Sequence, residues 1–418
     1  MMGSGTGLSG EDDDDPLLRP SWEETEDDTD ADLGLRRPLT RPAGLQDWSA
    51  ATDAQGTLLL ALCAATDLLA RLDARAEAAA SGVREGLIAR LAYLEAAGFL
   101  THAHAWAHPL DLALREHGLT ASAVLAAAGA PDRALPQTFA TGAPRAWADP
   151  PLDELAASDA AMTEALALAG ALHRLAGQRA VAALPHATPV AETMRTLGAS
   201  RLDPVAFTAW WDAVAPKPVV RRHRYGRQRE KGVAPPLPPL LAAAQVAESW
   251  MEAGLTDSPA PAQSLLLSAA ILSRAGLLRA ACLPVLAAYP AVGFGDRAAL
   301  PTLRSDAADR LVDWGVPITW PLAFLHLVAE SARMGLRELD RLDAAAEKGR
   351  ALAARADKRS RLPGAIEALL RYPALTPNAL AAELRIAPQT ATALLRELQA
   401  RRLIREVTGR RRFRAFAM

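Results

Sequence analysis

The chain has 418 residues, enough for two or three domains, and half of them are apolar, so a sizeable core can form. Ala and Leu dominate the apolar set and aromatic residues make up only 5%; because strands favour β-branched and aromatic residues, this composition predicts an all-α fold. Two distant cysteines, Cys63 and Cys282, exclude a disulfide framework, and the longest uncharged windows, of 16 residues, are too short to cross a bilayer. The N-terminus is acidic, unlike a signal peptide, and we therefore expect a cytoplasmic protein without a membrane partner.

Charge is divided unevenly along the chain. Residues 1–35 contain twelve acidic residues and one basic residue, so they carry −11, while the rest of the chain carries +9 of the net −2. Residues 1–44 hold too few apolar side chains to offset the entropy of ordering, which predicts a disordered acidic tail. The basic remainder favours a polyanionic partner. The tail itself is either a solubilising segment or an intramolecular mimic of DNA.

Helical periodicity follows the tail and predicts an N-terminal helical domain over residues 45–216. The predicted helices cover residues 52–72, the apolar stripe from Val83 to Leu94, and residues 110–116, 121–128, 152–184 and 191–197.

Three histidines cluster between two of these helices. His102, His104 and His108 have the spacing H-x-H-x3-H, which can bind zinc or nickel, but no catalytic partner accompanies them. A loop or packing role is the simpler interpretation, so we predict no metal and no cofactor.

Residues 217–239 interrupt the helical pattern with seven basic residues followed by four prolines. Such a segment is typical of a linker or long loop, although the basic run with His223 and Tyr225 could also bind nucleic acid. A helical core domain is predicted beyond it, over residues 240–362. Its helices are predicted at residues 240–253, 262–274, 276–288 and 321–355.

The C-terminal residues 363–418 carry the pattern of a winged helix-turn-helix domain. Pro363 suits the first turn of a helix, and Thr376 is a good N-cap before Pro377. Helices are predicted over residues 364–370, 377–384 and 388–400. Two short helices separated by a three-residue turn are the helix-turn-helix arrangement.

The residues after the third helix predict the wing. Residues 403–407 and 412–416 alternate as two strands would, around a turn at Thr408-Gly409, with Phe413 facing the core.

This arrangement assigns roles to individual side chains. The start of the third helix would enter the major groove of double-stranded DNA and present Gln389, Thr390 and Thr392 to base edges. Salt-dependent contacts to phosphates would come from Arg396, Arg410, Arg411, Arg412 and Arg414. The alternative is a module that docks protein, with its arginines merely solvated.

The stretch Leu394 to Phe416, which reads LLRELQARRLIREVTGRRRFRAF, resembles the C-terminal winged-helix extension of many bacterial Fic-family proteins. Residues 240–289 and 314–332 follow the order of helices in a Fic core, and residues 91–114 are similar to that family's N-terminal helical region. An all-helical body with a helix-turn-helix tail also resembles an uncharacterised family of alphaproteobacterial proteins named only for that tail.

The Fic resemblance does not extend to the catalytic loop. Fic adenylyl transfer depends on a His-Pro-Phe-x-x-Gly-Asn-Gly-Arg loop, in which the His is the base and the glycines and Arg hold phosphates. The corresponding stretch here, Trp250 to Pro259, reads WMEAGLTDSP and lacks these groups. We therefore expect no enzyme activity.

Together these features predict a DNA-binding transcriptional regulator. The helical body would supply homodimerisation, contact with a partner or ligand sensing. The alternatives are a divergent Fic-like nucleotidyl transferase and a helical interaction scaffold in which DNA binding is incidental.

Overall fold

A computed structural model describes the protein over residues 54–102, 105–116, 118–119, 155–177, 190–191, 194–195, 199, 201–214, 237–256, 261–292, 320–357, 359–408 and 414–418. The described residues all belong to one compact unit. Among the helices in these ranges, none is long and apolar enough to span a bilayer.

The described elements are almost all helical, which confirms the predicted all-α fold. The helices are α1 (Ala54–Ala78), α2 (Ser81–His102), α3 (Pro109–Glu116), α4 (Asp159–Gly177), α5 (Pro204–Val214), α6 (Pro239–Glu252), α7 (Pro261–Arg274), α8 (Val285–Val292), α9 (Trp320–Ala353), α10 (Leu362–Arg371), α11 (Pro377–Leu384) and α12 (Pro388–Ala400). Strand β1 (Ala105–Trp106) pairs in parallel with β2 (Leu155–Ala156), and β3 (Arg405–Glu406) pairs antiparallel with β4 (Phe416–Ala417).

Helix α2 lies at the centre of the body and packs against α3, α4, α8, α9 and α10, while α1 runs along α9. The close approach of α1 to α9 depends on Gly335, where a Cβ would overlap the side chain of Leu72. Helices from the predicted N-terminal and core domains therefore share one core. The domain boundaries themselves, including residues 217–239, stay predictions.

The predicted helix over residues 276–288 is wrong in its first two turns, because α8 begins only at Val285. Gly276 adopts φ +75 and ends the preceding turn. The buried carboxylate of Asp73 then accepts hydrogen bonds from the backbone N–H groups of Arg279 at 2.6 Å and Ala280 at 2.8 Å. These two backbone N–H groups therefore bond to Asp73 and make no helical hydrogen bonds.

Helix α8 is fixed by a second buried carboxylate. Glu95 accepts hydrogen bonds from the N–H groups of Leu286 at 2.7 Å and Ala287 at 3.3 Å, in the first turn of the helix. Burial raises the pKa of Glu95 to about 8, and the two N–H donors oppose that rise.

Other helices also differ from the prediction. Helix α1 extends six residues beyond the predicted end at residue 72, to Ala78. Helix α4 begins at Asp159 rather than residue 152, and Leu155 lies in β2. Helix α5 was not predicted; Asp203 caps it by accepting a hydrogen bond from the N–H of Val205 at 3.0 Å. Residues 121–128 lie outside the described residues.

The C-terminal helices dock on the body through glycines. A Cβ at Gly86 of α2 would overlap the carbonyl oxygen of Leu370, and one at Gly349 of α9 would overlap the side chain of Ile366. Because only glycine leaves room there, α10 lies directly on the backbones of α2 and α9, and the domain that follows is held against the body.

Candidate nucleic-acid interface

Helices α11 and α12 begin and end where the sequence predicts. Thr376 is extended, with φ −89 and ψ 158, and its Oγ1 accepts a hydrogen bond from the N–H of Ala379 at 3.1 Å. Proline occupies the first turn of both helices, at Pro377 and Pro388, where its missing N–H needs no partner. These local signals fix the start of each helix.

The turn between the two helices is tight. Arg385 adopts the left-handed conformation, with φ 53 and ψ 50, and its N–H donates to the carbonyl oxygen of Ala382 at 3.3 Å. The N–H of Ile386 donates to the carbonyl of Ala381 at 3.0 Å, which completes the hydrogen-bond pattern of a Schellman ending. A chain that reverses so sharply sets α12 against α11 as a helix-turn-helix requires.

Helix α12 has one buried and one exposed face. The buried face packs against α10 and α11 through Ala391, Leu394, Leu395 and Leu398. The exposed face presents Gln389, Thr390, Ala393 and Arg396. This outward face has the small and polar composition that the floor of a major groove can accept.

The predicted base-reading residues are not equivalent. Gln389 and Thr390 are exposed in the first turn of α12. Thr392 is half-buried, and its Oγ1 donates to the carbonyl oxygen of Pro388 at 2.8 Å, so its hydroxyl proton is used within the helix. Gln389 and Thr390 therefore have the freer hydrogen-bonding groups.

The predicted phosphate-binding residues also differ in their exposure. Arg396 is exposed on α12, whereas Arg414 is half-buried and its Nε lies 3.6 Å from Oε2 of Glu406. Arg410, Arg411 and Arg412 lie outside the described residues.

The strands after α12 are shorter than predicted. Only Arg405–Glu406 and Phe416–Ala417 form strands in the described part of this segment, and Phe413, expected in the core, lies outside it. Phe416 fills the core, and it exchanges two backbone hydrogen bonds of 2.9 Å with Leu375. Leu375 lies between α10 and α11, so the chain end is tied to the entry of the helix-turn-helix; no local pattern could have predicted this pairing.

Within the described residues no group of His, Cys, Asp and Glu is arranged to hold an ion. Only the His108 side chain of the predicted cluster lies among them, so a metal site at the cluster stays untested. His108 is buried, and its Nδ1 accepts a hydrogen bond from the N–H of Leu110 at 3.1 Å, at the start of α3. Desolvation lowers the pKa of His108 to about 4. His104 and the side chain of His102 lie outside the described residues, as do the basic run 217–231 and the acidic tail.

Residues 362–418 match the model of a family described as an HTH DNA-binding domain. The C-terminus is thus a helix-turn-helix domain, and a DNA-binding role lies there. Over 221 residues the chain is also 30% identical to an uncharacterised protein, y4cF, of Sinorhizobium fredii. The aligned part covers 53% of this chain and 51% of y4cF, so the chain spans about half the length of that relative. Neither match concerns a Fic-family protein, and the Fic resemblance stays a prediction.

Proposed function

We propose that this protein is a transcriptional regulator that binds double-stranded DNA with α12 in the major groove. In this proposal Gln389 and Thr390 contact base edges, while Arg396 and the residues between β3 and β4, acting as a wing, contact phosphates.

The exposed face of α12 is the observation that carries the proposal. Its outward side chains at positions 389, 390, 393 and 396 follow helical spacing, so they lie on one stripe of the helix. Ala393 stands in the middle of that stripe, and its small side chain lets the helix approach the base edges between Gln389 and Arg396.

We propose further that the helical body forms a homodimer. Helix-turn-helix dimers place two recognition helices in successive major grooves about 34 Å apart. A palindromic operator with half-sites one helical turn apart would follow from such a dimer, and light scattering of the DNA-free protein tests the oligomeric state.

A genome-wide DNA pull-down with the full-length protein tests the regulator proposal. We expect enrichment of a small set of promoter fragments that share a motif, and loss of that enrichment with Gln389→Ala. Enrichment of random DNA alone, with the same recovery for the variant, would contradict sequence-specific regulation.

We also propose that the protein has no nucleotidyl transferase activity, because the stretch 250–259 offers neither the base nor the phosphate-binding residues of the Fic loop. Purified protein incubated with ATP, magnesium and candidate targets should form no AMP adduct. An adduct detected by mass spectrometry would overturn this proposal.

A further inference from the structure

We propose that the loop between α9 and α10 forms, with Arg385, a second surface that binds the DNA backbone. This surface, called here the loop surface, consists of Arg355, Arg359, Arg361 and Arg385. The proposal rests on the DNA-binding function proposed above and adds contacts outside α12 and the wing.

The charge of the loop surface faces solvent. All four arginine side chains are exposed, and no ion pair joins them to other described residues. The neighbouring carboxylates are already engaged: Asp357 accepts a backbone hydrogen bond within the loop, and Glu383 pairs with Arg371 at 3.0 Å. The carboxylate of Asp357 keeps its negative charge, so the loop surface presents four positive charges against one negative charge among these described residues.

The backbone of the loop is fixed by its own hydrogen bonds. The N–H of Ser360 donates to the carbonyl oxygen of Asp357 at 2.8 Å, and the N–H of Arg359 donates to the carboxylate of Asp357 at 2.8 Å. Ser360 Oγ then accepts from the N–H of Leu362 at 3.1 Å, where α10 begins. A loop that is ordered before binding loses less conformational entropy when it meets a ligand.

The loop lies at the end of the domain where the recognition helix begins. Gly364, in the first turn of α10, is so close to the end of α11 that a Cβ there would stand 3.0 Å from Cδ2 of Leu384. Arg361 precedes Gly364 by less than one turn, and Arg385 follows Leu384 directly. Since α12 starts at Pro388, four residues after Leu384, this contact places the start of α10 close to the turn that leads into the helix carrying Gln389.

Arg385 supports a binding role through its conformation. A left-handed backbone is unfavourable by roughly 1 kcal/mol for residues other than glycine, and the side chain of Arg385 is exposed. Glycine would suit the turn better, so what arginine adds at this position is its charge. Strained residues of this kind are found preferentially at functional sites.

The test is DNA binding by full-length variants across salt concentrations. We compare wild type, Arg359→Ala/Arg361→Ala and Arg385→Gly on the best site and on random duplex between about 50 and 200 mM salt. Each phosphate contact that a variant no longer makes should reduce the log–log salt slope by roughly 0.9, equally on both duplexes. Arg385→Gly is the sharper variant, because glycine fits the left-handed turn and leaves the domain folded.

A charge-matched control is Arg71→Ala/Arg174→Ala, which removes two exposed arginines from α1 and α4, helices that pack mainly on α9 and α2. Its salt slope should equal that of wild type. If wild type binds DNA and both loop-surface variants keep its slope, the inference is wrong and the proposed function stands. If wild type binds no duplex at any salt, both fail together.

Discussion

The guanidinium of Arg90 donates to the carbonyl oxygen of Leu370 at 2.7 Å, and so joins the centre of α2 to the last turn of α10. The last carbonyls of a helix have no partner within it, and Arg90, which is 1% exposed, supplies one from another helix. The same guanidinium donates to the carbonyl oxygens of Gly86 at 3.0 Å and of Leu369 at 3.3 Å. Arg90 thus acts as a buried cap for the first helix of the DNA-binding domain.

A carboxylate extends this contact to the chain end. Glu338 of α9 lies 3.4 Å from Nε of Arg90 and also pairs with Arg341, which donates to the carbonyl oxygen of Met418 at 3.3 Å. Burial and the charge of Arg341 lower the pKa of Arg90 to about 9, while Glu338 opposes that change, so Arg90 is charged at neutral pH. The network connects both ends of residues 362–418 to the body.

Replacing Arg90 with Met should destabilise the protein by about 2–6 kcal/mol, because it removes the donor to the buried carbonyl oxygens of Leu369 and Leu370, each of which costs about 1–3 kcal/mol when unpaired. Glu338 keeps its pair with Arg341. Urea unfolding measures the free energy. Arg71→Met is the matched control: Arg71 forms an exposed pair with Asp67, so its removal should change stability by at most about 0.5 kcal/mol. Equal effects of the two substitutions would contradict the capping role.

The contribution of His108 to stability should fall as pH drops from about 6.5 to about 4, whereas Glu95, whose pKa is raised in the folded protein, contributes with the opposite sign. The folded state lowers the pKa of His108 below its unfolded value, so the unfolded chain takes up the proton first and acid favours unfolding. The lowered pKa of His108 corresponds to a loss of roughly 3 kcal/mol in its contribution to the unfolding free energy across this pH range.

His108→Asn tests this origin, since its amide oxygen can accept the hydrogen bond from Leu110 but does not titrate. We expect the unfolding free energy of wild type to fall relative to that of the variant as pH drops from about 6.5 to about 4. Other titrating groups, Glu95 among them, are common to both proteins and cancel in the comparison. Parallel curves for the two proteins would rule out His108 as the cause.

Gln389→Ala should reduce the preference for the best DNA site by about 1–3 kcal/mol and leave affinity for random duplex nearly unchanged, because a base contact carries the specificity. Thr392→Val is the control, as the Thr392 hydroxyl already donates to Pro388 and we expect a smaller effect. Competition mobility-shift assays with specific and random duplex measure the site preference and the non-specific affinity of each variant. An equal weakening on the two duplexes would show that Gln389 does not read bases.

Replacing Arg410, Arg411 and Arg412 with Ala should weaken binding to all sequences about equally, since phosphate contacts carry no sequence information. The log–log salt slope should shrink by roughly 0.9 for each arginine that binds a phosphate in the wild-type complex. DNA-binding titrations at low salt measure the affinity of the triple variant, of wild type and of the control Arg71→Ala/Arg174→Ala. Unchanged affinity would exclude the wing from the interface.

Deleting residues 1–35 should tighten non-specific DNA binding at low salt. These residues carry −11, and a flexible tether holds an attached ligand at up to about millimolar effective concentration, so they can compete with DNA. The gain should fade as salt screens the charges over about 10 Å at 0.1 M. The chain has no uncharged segment of comparable length that could be deleted as a control. A second variant therefore keeps the tail but replaces the acidic residues 11–15 with Ser. If all three proteins bind random duplex equally, the tail only solubilises.

The helix-turn-helix could be predicted from the sequence alone, because its signals act within a few residues. Thr376 caps α11 through an N–H three residues away, and the prolines at 377 and 388 favour a first helical turn whatever the rest of the chain does. The apolar residues of α12 likewise identified the buried face, since helical spacing alone places them together. The exposed positions of Gln389, Thr390 and Arg396 follow from the same spacing.

Features that depend on residues far apart in the chain became visible only in the folded protein. Residues 276–284 have a helical composition, yet the carboxylate of Asp73, 206 residues away from Arg279, takes the N–H groups that a helix would need. Arg90 meets Leu370 across 280 residues, and Phe416 pairs with Leu375 instead of continuing a local strand. Such contacts form because buried polar groups must find partners wherever packing brings them, and no local pattern records which partner that is.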